Sequence, residues 1–171
     1  NACVAFREAR KHTQKMNRFE RIWAQQGLIR NGVNYVENFP KSGKVPEIKL
    51  NIGRSYFESG QFDQAVGVFD EFIATYPKHP NATTAADLIL DAYAKQQRFA
   101  ELAEKATQLA QNTALGDAGF RARMADTAKN AEERQIGEVI LTASVDRDSG
   151  GDAGEKLRNF WQNNKNSPVA E

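Results

Sequence analysis

The sequence predicts an all-α superhelix of about nine antiparallel helices, a single repeat domain over residues 1–171. Three observations predict it. Tyr35-Val36-Glu37-Asn38-Phe39-Pro40 recurs as Phe72-Ile73-Ala74-Thr75-Tyr76-Pro77, an offset of 37 residues that sets aromatic against aromatic, Val against Ile and Pro against Pro. A fixed period of this size marks an array of helical hairpins, each too small to bury its apolar face without a neighbour. Elsewhere apolar residues follow a helical period, and strand-type runs of Val, Ile and Thr are scarce.

The elements follow in order. Residues 5–24 form an amphipathic helix with Ala5, Ala9, Met16, Phe19 and Trp23 on its apolar side. Gly27 marks a turn, and a second helix runs over residues 28–38. Lys41-Ser42-Gly43-Lys44 is a loop, because proline and glycine punctuate there. The next hairpin is the clearest: residues 46–59, with Pro46 in the first turn, a Gly60-Gln61 turn, then residues 62–76. Pro77 and Pro80 bracket the exit and Asn81 caps a helix over 82–96, whose partner spans 99–111. Gly116-Asp117 reads as a turn and N-cap. Residues 118–145 are helical in composition, and a stripe that rotates near Asn130 implies two helices or one long bent one. Residues 146–151 form a loop, and a last helix over 152–164 buries Leu157, Phe160 and Trp161. The terminal Asn166-Ser167-Pro168 echoes the start of a further unit, so the chain reads as a piece of a longer array.

The middle unit resembles a tetratricopeptide repeat. Ile52-Gly53, Tyr56, Gly60, Phe62, Ala65, Phe69 and Pro77 carry the resemblance, and each has a packing reason. Gly53 admits a neighbouring helix, Gly60 permits the tight turn, Phe69 fills the core and Pro77 stops the helix. The match extends forward to Ile89, Leu90, Tyr93, Phe99 and Ala106, with Gln97 in place of the turn glycine, and back to Pro40; the clearest repeats cover residues 28–112. The period exceeds the family's common 34. Phe72 stands where the family usually has alanine. The run from Phe69 to Pro80 is similar to a bacterial envelope subgroup that includes outer-membrane-protein assembly lipoproteins and the Tol–Pal coordinator. The resemblance implies a non-enzymatic protein-binding scaffold, periplasmic or outer-membrane associated. The alternative is a cytoplasmic module that regulates an enzyme or a nucleic-acid machine.

Candidate binding surfaces follow from the same registers. The first helices of successive hairpins line the inner face, which presents Leu50, Arg54, Glu58, Asp87, Asp91 and Lys95 to a protein or peptide partner. Some family members clamp a partner's terminal carboxylate with Lys and Asn at these positions. Leu50, Arg54, Asp87 and Asp91 do not form that basic clamp. The competing surface is a basic face on the first helix, formed by Arg7, Arg10, Lys11, Lys15, Arg18 and Arg21. It lacks interleaved aromatics for stacking bases, which argues against nucleic acid.

Net charge is +1, yet residues 1–49 carry ten Lys/Arg against four Asp/Glu and the remainder thirteen against eighteen. No apolar run approaches the roughly 18 residues of a membrane span. Cys3 has no second cysteine to pair with, and the hydrophobic run of a lipid-attachment signal does not precede it. His12 and His79 lie a hairpin apart, Asp146, Asp148 and Asp152 miss the register of a calcium loop, and no phosphate loop, nucleophile elbow or zinc spacing occurs. The expectation is therefore no catalytic residue, no cofactor, no metal and no small-molecule substrate.

Overall fold

The computed structural model describes residue 8, residues 17–148 and residues 152–163. Among these residues there are seven α-helices and no strand: α1 (Arg18–Asn38), α2 (Val45–Glu58), α3 (Phe62–Thr75), α4 (Ala82–Lys95), α5 (Phe99–Gln111), α6 (Ala118–Asp148) and α7 (Ala153–Asn163). The expected all-α, solenoid-like class holds. The count among the described residues is seven rather than about nine: the expected breaks at Gly27 and near Asn130 do not occur, and most of the expected first helix lies outside the described residues. The chain divides into two compact units, Asn1–Gln96 with Ala114–Gly116, and Gln97–Thr113 with Asp117–Glu171.

In the first unit α1, α2, α3 and α4 pack in succession. A capping box starts α1: the Asn17 side chain accepts the Glu20 N–H at 3.0 Å, and the Glu20 carboxylate accepts the Asn17 N–H at 3.1 Å. The expected turn at Gly27 is absent and α1 runs straight through it. An isolated glycine costs a helix only about 1 kcal/mol, and burial of Gln25, Leu28 and Ile29 on either side holds the helix together. Those two aliphatics, with Ile48 and Ile52 of α2, form a core against which Val33, Val36, Tyr56 and Val68 pack. Phe69 and Phe72 of α3 are completely buried. Gly53 is needed where it stands: a Cβ there would lie 2.5 Å from the Phe69 ring.

The connections after α1 and α3 repeat one backbone geometry. Phe39 and Tyr76 have φ, ψ of −131°, 53° and −129°, 54°. Their amides donate to Tyr35 O and Phe72 O, and the amides three residues on, Ser42 and His79, donate to Phe39 O and Tyr76 O. Val45 and Ala82 donate to Ser42 O and His79 O. In the first connection Ser42 Oγ accepts the Lys44 N–H at 3.2 Å, and in the second His79 Nδ1 accepts the Asn81 N–H at 3.1 Å. Asn81 thus sits at the N-cap position of α4, but its side chain makes no cap bond, contrary to expectation.

Between α2 and α3, Gly60 adopts φ +79° while its amide donates to Phe57 O and the Gln61 amide to Tyr56 O. That is the Schellman pattern, with glycine in the left-handed position it favours. Gln97, 37 residues later, holds the same left-handed region at φ 58° without being glycine.

In the second unit α5 packs on α6, and α6 on α7. Asp117 caps α6, its Oδ1 accepting the Phe120 N–H at 2.7 Å, as its place after Gly116 predicted. Helix α6 is continuous through Asn130. Its buried stripe passes from Phe120, Met124 and Ala128 through Ala131 to Ala143, with Gln135 and Val139 half-buried between. The inferred rotation arose from giving weight to Ile136 and Ile140, and Ile140 faces solvent. Residues 146–148, expected as loop, complete α6. Asp152 caps α7 through the Glu155 N–H at 3.0 Å. Leu157 and Phe160 are half-buried, but Trp161 is exposed rather than buried. No helix of the described residues is long and apolar enough to cross a membrane.

Candidate protein-binding face

Helices α2 and α4 occupy equivalent places in successive repeats, since Val45 and Glu58 lie 37 residues before Ala82 and Lys95. They touch each other across the unit, and the Lys95 ammonium sits 5.9 Å from the centroid of the Phe57 ring. This contact is a cation–π pairing between helices separated in sequence by all of α3. By the 37-residue period the positions of the expected inner face are equivalent in three pairs: 50 with 87, 54 with 91, and 58 with 95.

These positions differ from expectation in one respect. Leu50 is only 2 % exposed, so its side chain belongs to the core and supplies no apolar anchor at the surface. Ile48 and Ile52 share one face of α2 and Leu50 lies nearly opposite, yet all three are buried, so α2 is covered on more than one side and its helical period alone does not report the burial of Leu50. Arg54 and Asp87 are half-buried and already engaged by neighbouring groups. Glu58 is exposed and accepts a hydrogen bond from Gln25 Nε2 at 2.9 Å, tying α1 to α2. Asp91 and Lys95 are exposed. The result is a charged face of both signs, half-buried at Arg54 and Asp87 and exposed at Glu58, Asp91 and Lys95.

Of the alternative basic face, Arg7, Arg10, Lys11 and Lys15 lie outside the described residues, as does the side chain of Arg18; Arg21 is exposed on α1. Cys3 and His12 also lie outside. His79 serves the α3–α4 connection: besides accepting the Asn81 N–H, its ring meets Phe72 edge-on at 5.2 Å. Among the described residues no group of three or more His, Cys, Asp or Glu is placed to hold a metal ion.

Sequence reasoning missed a second surface of the first unit. A depression of about 410 Å³ over Ile29, Arg30 and Val33 adjoins one of about 250 Å³ over Val36, Ile52 and Val68, and Val33 and Tyr56 line both. The Lys49–Glu71 ion pair closes the rim. Comparing copies could have found it, because Val33 and Val68 are replaced 37 residues later by Asp70 and Lys105. In the second unit, Arg98 Nε donates to Glu101 Oε1 at 2.9 Å. That bond, with help from the Glu101 backbone amide, holds the Glu101 carboxyl below its ordinary value.

Residues 48–79 match the sequence model of the tetratricopeptide repeat family, a span from the first turn of α2 to the connection after α3. No curated protein and no solved structure matches the chain. The helices, the close approach at Gly53, the Gly60 turn and the family match agree that residues 48–79 are similar to a tetratricopeptide repeat.

Proposed function

We propose that the chain is a non-enzymatic scaffold that holds one protein against another on the shared face of α2 and α4, within a bacterial cell-envelope complex. The observation that carries this reading is the repeated connection. Because the α1–α2 and α3–α4 connections have one backbone geometry, α2 and α4 arrive side by side, and Lys95 reaches Phe57. A surface built from equivalent rungs of successive repeats suits an extended segment of another protein, read rung by rung. Arg54, Glu58, Asp87, Asp91 and Lys95 orient it through charge, which sets specificity and association rate more than raw affinity. The envelope context rests on the likeness of the run from Phe69 to Pro80 to envelope repeat proteins.

A photo-crosslinking side chain at Asp91 tests both parts. The control position is Gly67, which is exposed on α3 and has nothing within 4 Å of where a Cβ would stand. Irradiation of the cells that make the protein is expected to give a discrete adduct with an envelope protein from position 91 and none from position 67. Failure to form an adduct at 91, or the same products from both positions, would remove the proposed face. A discrete adduct with a cytoplasmic protein would keep the scaffold and overturn the envelope context.

A further inference from the structure

Helices α1 and α3 stand on either side of α2, and they approach each other less closely than α2 and α4 do. The groove left between them is the double depression of about 410 and about 250 Å³ that meets at Val33 and Tyr56. Its floor separates into two kinds of residue. Ile29, Ile52 and Tyr56 return 37 residues later as Val66, Ile89 and Tyr93, so the repeat's own packing accounts for them. Val33 and Val68 return as Asp70 and Lys105. All four of these are half-buried, so a charged side chain is tolerated at both positions and packing does not demand valine at either. The valines make this one groove apolar where its counterpart is charged. Along α1 the lining residues Arg30, Val33, Asn34 and Glu37 fall at i, i+3, i+4 and i+7, a single helical face. Arg30 and Glu37 are exposed at its two ends, about 10 Å apart. Among the described residues neither is ion-paired, whereas Lys49 and Glu71 on the opposite rim neutralise each other.

We propose that this groove docks one amphipathic helix of a partner protein, with two large apolar side chains over Val33 and Tyr56, an acidic residue against Arg30 and, two turns away, a basic residue against Glu37. A helix laid along α1 repeats the spacing of the stripe beneath it: charge at i, apolar anchors at i+3 and i+4, opposite charge at i+7. Each depression has room for one of the anchors. The anchors supply the desolvated centre of the contact, and the two end charges select the partner and its direction along the groove. The groove lies apart from the shared face of α2 and α4, and this inference stands or falls without that face.

Selection from a displayed peptide library tests this. The library holds helix-forming peptides about 18 residues long, since shorter isolated helices are marginal, with one helical face randomised. The bait is the wild-type chain. The counter-bait is Val33→Asp/Val68→Lys, which installs the side chains of the next copy, and circular dichroism checks that it keeps the helical spectrum. Peptides retained by wild type and not by the counter-bait are expected to carry apolar residues at i+3 and i+4, an acidic residue at one end of that stripe and a basic one at the other. A third bait, Arg30→Glu, changes only an exposed side chain. It is expected to select a basic residue in place of the acidic one, and to bind the wild-type-selected peptide about tenfold more weakly by fluorescence anisotropy. No peptide retained by wild type over the counter-bait would overturn the inference. So would selected peptides without the helical spacing, or a charge preference that Arg30→Glu leaves unchanged. Self-association of the wild-type chain in sedimentation velocity, lost in Val33→Asp/Val68→Lys, would give the groove to a second copy and overturn it as well.

Discussion

The two connections of the first unit, after α1 and after α3, share a backbone and differ in the side chains that hold it. In the first, the Tyr35 and Ser42 hydroxyls share a hydrogen bond of 3.0 Å. In the second, Phe72 and His79 occupy those positions and meet as rings at 5.2 Å. Tyr35 is half-buried, and Phe72 is fully buried. The aromatic at the helix stop follows suit: Phe39 lies 5.1 Å from Tyr35, and Tyr76 lies 5.5 Å from Phe72. In both cases a side-chain acceptor at the fourth residue of the connection takes the amide two residues on. The difference teaches that the repeat specifies a geometry and not a fixed set of contacts. A polar pair suffices where the site is half wet, and a ring pair replaces it where the site is dry, because a buried hydroxyl there would need its own partner.

That asymmetry predicts unequal costs. Phe72→Ala is expected to destabilise the protein by about 3–5 kcal/mol, since it empties a closed site beneath both His79 and Tyr76. Tyr35→Phe is expected to cost only about 1 kcal/mol, the net value of a part-buried hydrogen bond. Chemical denaturation of the two variants checks the ratio, and equal losses would break the comparison. Next in size is Gly53→Ala: its Cβ would meet the Phe69 ring, and such overpacking costs about 1–3 kcal/mol. An unchanged melting temperature would show that α2 and α3 are not held at that distance.

The left-handed turn residues give a smaller pair of effects. Gly60→Ala is expected to cost about 1–2 kcal/mol, because an L side chain is disfavoured at φ +79°. Gln97→Gly is expected to raise stability by no more than about 1 kcal/mol, relief of the left-handed strain being offset in part by the freer unfolded chain. Smallest is a pH effect at Glu101. Its folded value is lowered by Arg98, so its contribution is present above the ordinary carboxylate range and is lost as pH falls through the lowered value. The pair is partly exposed, which keeps the effect small. Melting curves of wild type and Glu101→Gln should therefore differ slightly at neutral pH and converge in acid.

Much of this was legible in the chain. The period of 37 placed α2, α3, α4 and α5 to within a residue or two, because Pro46, Gly60 and Pro77 mark boundaries through backbone chemistry that acts locally. Gly27 and Asn130 misled for the opposite reason. Each weakens a helix locally, and burial of Leu28, Ile29, Ala128 and Ala131 nearby outweighs it. The binding face was legible in register and not in burial. The 37-residue period makes position 50 equivalent to Asp87, but only the packing of α2 shows that Leu50 is covered. The groove over Val33 and Tyr56 escaped notice because it is made by three helices at once, and no single helical period reports on that.

The central claim is that the repeat fixes one connection geometry, which in turn sets α2 beside α4. A double-mutant cycle at the first connection tests it most directly. Tyr35→Phe/Ser42→His installs the second connection's side-chain pair in the first, and denaturation midpoints are compared with those of both single variants. The account predicts that the double variant recovers most of what Ser42→His loses alone and falls within about 1 kcal/mol of wild type, a coupling expected only of groups in contact. A double variant no more stable than its worse parent would contradict it, because the two connections would then share a backbone by coincidence and not through interchangeable contacts.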